Sequence, residues 1–162
     1  MWIFSTVTTL LLVAAALRWG AGPERICVAV IIATNVGDHI YHFVVARDAI
    51  YTSVDIGHLV PDLFAAAIFT GVALRANRVY PLWISAFQFV SVISHFVREV
   101  DGHMGILAYA MMNYMPANFI LLIMAGGIWA HARRERRYGP YRQWRTSSNP
   151  LPGTSPKSPP TG

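Results

Sequence analysis

Asn35, Asp38, His39 and His42 place an amide, a carboxylate and two imidazoles inside an otherwise apolar stretch that runs from Ile26 to Ala46. At a helical 100° per residue the four fall within about a third of the circumference, so one face is polar and the rest is apolar. Such a face can ligate a metal, exchange protons between imidazole and carboxylate, or bond neighbouring helices. The pairing recurs along the chain. Asp38 and His42, His58 and Asp62, and His95 and Glu99 each stand four residues apart, which sets each couple on one helical face as two arms of a chelate or as a hydrogen-bonded pair. Three imidazoles with three carboxylates is the donor mixture of di-iron and di-zinc carboxylate sites. On that reading Asp38, His42, His58, Asp62 and His95 hold one or two ions of zinc or iron. Glu99 serves as catalytic base toward a metal-bound water or as a bridging carboxylate, and Asn35, His39, His103 and Asn113 support the ligands.

The elements that must position these groups are membrane helices. Apolar residues make up 54% of the 162, and charged residues only 13%, about half the share usual in soluble domains. The composition predicts an all-α polytopic bundle, with spans at about residues 1–17, 26–46, 57–74, 81–98 and 104–131. The bundle occupies 1–137, and 138–162, basic at first and then rich in Pro, Ser, Thr and Gly, is expected to be a disordered cytoplasmic tail. Its opening residues, 138–145, carry aromatic and basic side chains suited to an anionic lipid surface. The apolar start lacks a positive region ahead of it, which favours an uncleaved first helix over a signal peptide. Pro61 is expected in the first turn of the third span, and Pro116 is expected to kink the fifth near Tyr114. Cys27, the single cysteine, reads as apolar packing.

Charge fixes the orientation. With the carboxyl end inside, the inner loops and tail hold eleven Lys and Arg against two outside, Arg47 and Arg98. That bias predicts five spans, amino end out, in the cell's inner (plasma) membrane. The net charge of +5 therefore reports topology, and no nucleic acid is expected as a partner. In this topology five of the six histidines gather in the outer half, within about 12 Å of depth, with Asp38 opposite Asp62 and His42 level with His58 and His95.

Three functions compete on these residues. The first is a metal-dependent enzyme acting on a lipid-like small molecule drawn from the membrane lipids. The second is electron transfer through heme b held by His42 and His95, with Arg47 and Arg98 toward its propionates. The third is a non-catalytic subunit or assembly factor whose polar face is an internal network; the sequence names no protein partner. The scatter of His and Asp over several helices resembles the alkaline ceramidase and adiponectin receptor group in kind only, because the HxxxH pair of that group is lacking. His39-Ile-Tyr-His42 likewise departs from the HxxxH and HxxHH boxes of membrane desaturases and hydroxylases. A retinal pump is excluded, since Lys157, the only lysine, lies in the tail.

Overall fold

Helix boundaries follow the breakers in the sequence. The computed structural model describes residues 2–44, 56–100 and 106–145, and these form five helices: α1 (Trp2–Trp19), α2 (Gly22–Val44), α3 (Ile56–Arg75), α4 (Tyr80–Val100) and α5 (Ile106–Tyr138). Gly20 ends α1, its N–H reaching the Ala16 carbonyl at 2.9 Å. Ala21 then caps α2 from just before it, its N–H donating to the Glu24 carboxylate at 3.0 Å, the reach-back half of a capping box. Pro23 sits in this first turn, where its missing N–H costs nothing. Pro61 does not. Because α3 begins at Ile56, Pro61 lies inside the helix rather than in its opening turn, and the Gly57 carbonyl loses its helical donor. α5 runs through Pro116 as one helix.

Each helix packs on its neighbours in sequence, and α5 closes back onto α1, with a lesser contact to α2. The centre is apolar: Leu12, Cys27, Ile31, Phe69, Ile84 and Met124 are all buried there. So, however, are Ser85, Gln88, Ser94 and His95, while Phe43, Phe64, Leu74, Trp83, Leu122 and Trp129 are exposed. A surface greasier than parts of the core suits lipid as solvent, where interior polar groups find partners and exterior ones do not.

Among the described residues three helical segments, Gly57–Arg75, Tyr80–Val97 and Met115–Tyr138, are long and apolar enough to cross a membrane. α1 is apolar but supplies a shorter stretch, Ser5–Trp19, and α2 is diluted by Glu24, Arg25, Asp38 and its histidines. At 1.5 Å per residue the 33 residues of α5 extend about 50 Å, beyond the ~30 Å of bilayer hydrocarbon.

Beyond the expected bundle end at residue 137, residues 138–145 are described. Gly139, at φ 77°, caps α5 in the left-handed region and donates to the Glu135 carbonyl, and the chain then doubles back. Asn77 N–H donates to the Gln143 carbonyl at 3.1 Å, Arg145 N–H donates to the Arg75 carbonyl at 2.7 Å, and Ala76 bridges Trp144. Residues 139–145 thus belong to the bundle, held by backbone pairing that composition does not reveal.

Candidate functional site

α3 carries the centre of a polar network shared with α2 and α4. His58 Nε2 lies 2.8 Å from Asp38 Oδ1 on α2, and one turn on, Asp62 faces α4. Asp62 Oδ1 accepts from Gln88 Nε2 at 2.9 Å, and Oδ2 accepts from Ser91 Oγ at 2.8 Å and from His95 Nε2 at 3.1 Å. Gln88, Ser91 and His95 stand three and four residues apart and so line one stripe of α4, as their spacing predicts. His95 is buried.

This arrangement corrects the expected level of the groups. Asp38 meets His58 rather than Asp62, and Asp62 meets His95. Two carboxylates facing each other in a low-dielectric bundle would repel, whereas offsetting the helices by a turn sets each against an imidazole donor. The close α2–α3 crossing has a further requirement at Gly57, where a Cβ would come within 2.2 Å of the Tyr41 ring. That ring meets the His58 imidazole edge-on, with centroids 4.9 Å apart.

Toward α1 the supporting residues act as helix ties. Asn35 accepts from Ser5 Oγ at 3.1 Å and donates to the Ile31 carbonyl at 2.9 Å, and His39 Nε2 stands 3.5 Å from Thr6 Oγ1. The side chains of His42, Glu99 and Asn113, and the whole of His103, lie outside the described residues. Among the described residues no group of three or more His, Cys, Asp or Glu side chains is disposed to hold a metal ion. His95 could offer Nε2 to a heme iron only by giving up Asp62.

A second polar centre occupies the opposite end, and spacing gave no warning of it. Glu24 is fully buried. Its Oε1 accepts from the Arg78 guanidinium and from the Tyr80 hydroxyl, the latter at 3.0 Å, while Oε2 takes the Ala21 N–H. Arg78 and Arg134 both lie against the Tyr141 ring, 5.2 and 4.7 Å from its centroid. The Tyr141 hydroxyl meets His131 Nδ1 at 2.9 Å, and His131 Nε2 faces Glu135 at 3.7 Å. Burial first of all, with Glu24 and Glu135 adding and the arginines opposing, raises the Tyr141 phenol above its ordinary pKa, so it stays a donor. Arg78 counts among the topology arginines in the sequence; the structure makes it a buried ion-pair partner. The available signal was Glu24 itself, an acid behind Pro23 at the head of an apolar run.

Between α1, α2 and α5 at this end lies a cleft of about 590 Å³. Arg18, Arg25, Arg136, His131, Glu135 and Gln143 are among its walls. No family model, curated protein or solved structure matches the chain.

Proposed function

We propose that this chain is a small five-pass membrane protein, amino end outside, that serves as a non-catalytic subunit or assembly factor. Its outer histidines and carboxylates work as clasps between helices. The observation that carries this reading is Asp62, whose two oxygens receive three donors from α4, while Asp38 receives His58 across the α2–α3 interface. A carboxylate so engaged has its lone pairs committed to helix association rather than to a ligand.

One observation favours a second reading. His58 and His95 are each oriented by a carboxylate, as imidazoles that bind metals commonly are. A zinc or iron enzyme with a lipid-like substrate would then require His42 or His103 to converge on them, with Glu99 as base.

Elemental analysis of folded protein in mild detergent separates the two. The clasp reading expects less than about a tenth of an equivalent of zinc, iron, copper or manganese, because a binding metal would be retained near stoichiometry. It also expects His95→Ala to lower bundle stability without altering metal content. A near-stoichiometric metal that His58→Ala and His95→Ala remove would overturn it in favour of the enzyme. A Soret band after expression with heme supplied would instead support electron transfer.

A further inference from the structure

The inner cleft is built where the junction of α1 and α2 meets the end of α5, from the far end of the chain. Arg18 comes from the last turn of α1, Arg25 from the start of α2 and Arg136 from the end of α5. Gln143, on the chain that folds back, closes one wall. All three guanidiniums are exposed, and none forms an ion pair among the described residues. Their contacts are with neutral groups: Arg25 donates to the Leu17 carbonyl at 3.4 Å, and Arg18 leans 5.9 Å over the Trp19 ring. Each therefore keeps most of its five donors available. The one carboxylate in the wall, Glu135, faces His131.

The opening of α2 adds a favourable dipole, but the first three N–H positions there are engaged or absent. Ala21 N–H is taken by Glu24, Gly22 N–H donates to Gln143 Oε1 at 3.0 Å, and Pro23 has no N–H. Recognition must then come from the side chains. Guanidiniums arranged around a cavity of this volume suit a tetrahedral oxyanion with several acceptor oxygens, which they can bind by paired, charge-assisted bonds. Exposed Trp19, Trp129 and Tyr138 stand at the same end of the bundle, with Arg133 5.2 Å over Trp129. Aromatic and basic residues of this kind mark headgroup depth.

We propose that this cleft binds a phosphate-bearing anion, presented either by an anionic lipid headgroup or by a free phosphate. The site is independent of the outer network and of the function assigned to it. The test uses the full chain in phosphatidylcholine nanodiscs, titrated with short-chain phosphatidate, with short-chain phosphatidylcholine and with inorganic phosphate, and read by phosphorus NMR line broadening. Phosphatidate is expected to bind and phosphatidylcholine is not. The Arg18→Gln/Arg25→Gln/Arg136→Gln variant is expected to weaken binding about tenfold or more, and Arg136→Gln alone by a measurable part of that. Arg133→Gln/Arg137→Gln, which removes equal charge per residue outside the cleft, should change it less than about twofold.

Competition by inorganic phosphate identifies a free phosphate as ligand, and its failure to compete identifies a headgroup; both outcomes support the cleft. Equal weakening by the two sets of variants would show a diffuse basic surface and overturn the proposal, as would the absence of binding by both phosphatidate and inorganic phosphate. Circular dichroism and gel filtration establish that the triple variant is folded, and the single Arg136→Gln variant on exposed α5 carries the test where it is not.

Discussion

Asp62 illustrates how much one side chain can hold in a bundle without water. Replacing it by Ala strands Gln88, Ser91 and His95, and with interhelical bonds in membranes averaging about 0.6 kcal/mol each, the loss should be about 2 kcal/mol. Equilibrium unfolding in mixed micelles measures it. Conservative Asp62→Asn should recover part of the loss, since the amide oxygen still accepts. Glu24 and Arg78 stand at higher risk. Glu24→Gln or Arg78→Met alone leaves a buried partner uncompensated and should cost about 3–5 kcal/mol, whereas Glu24→Leu/Arg78→Met together should cost clearly less than the sum. A double-mutant cycle reads that coupling directly, and additive losses would mean that the two groups do not depend on each other.

At the scale of elements, the α2–α3 crossing and the folded-back segment are each decided by one contact surface. Gly57→Ala drives a methyl into the Tyr41 ring and should destabilise the bundle by about 1–3 kcal/mol, with Tyr41→Leu in the same chain restoring part of it. Failure of the second substitution to rescue would mean that the ring can move aside unaided. The segment 139–145 contributes two backbone bonds and the Gln143 and Tyr141 contacts, so a chain ending at Arg145 should melt higher than one ending at Tyr138. The difference between these two melting temperatures isolates the segment. Equal values would reduce it to a surface attachment.

Among the described residues, the surface of the whole molecule is far more apolar than that of a soluble domain. In the three segments long and apolar enough to span, only 28–39% of positions are buried, and much of the remainder is large and apolar. The proposed five-pass topology places Val44 outside and Arg137 inside. In a Cys27→Ala background, Val44→Cys should label from outside intact cells with an impermeant maleimide, and Arg137→Cys only after the membrane is opened. The reverse pattern would invert the bundle. Labelling of both from one side would remove the odd number of crossings between them.

Composition and spacing determined the class of this protein: apolar runs bounded by Gly, Pro and Arg place five helices near their observed positions, because the helix is the local way to satisfy backbone groups in an apolar setting. They also marked the polar stripe on α4, since a helical period is written in the chain. What the period leaves open is the partner. Same-helix spacing joins His58 with Asp62 and Asp38 with His42, whereas helix offset sets Asp38 against His58 and Asp62 against His95, a choice made by pairing each acceptor with a ring N–H and by the room that Gly57 leaves for Tyr41. The end that holds Glu24 is more strongly tertiary. Glu24 with Arg78, and Gly22 with Gln143, are joined across 54 and 121 residues of sequence. No local rule relates residues so far apart; only closure of the bundle brings them within reach.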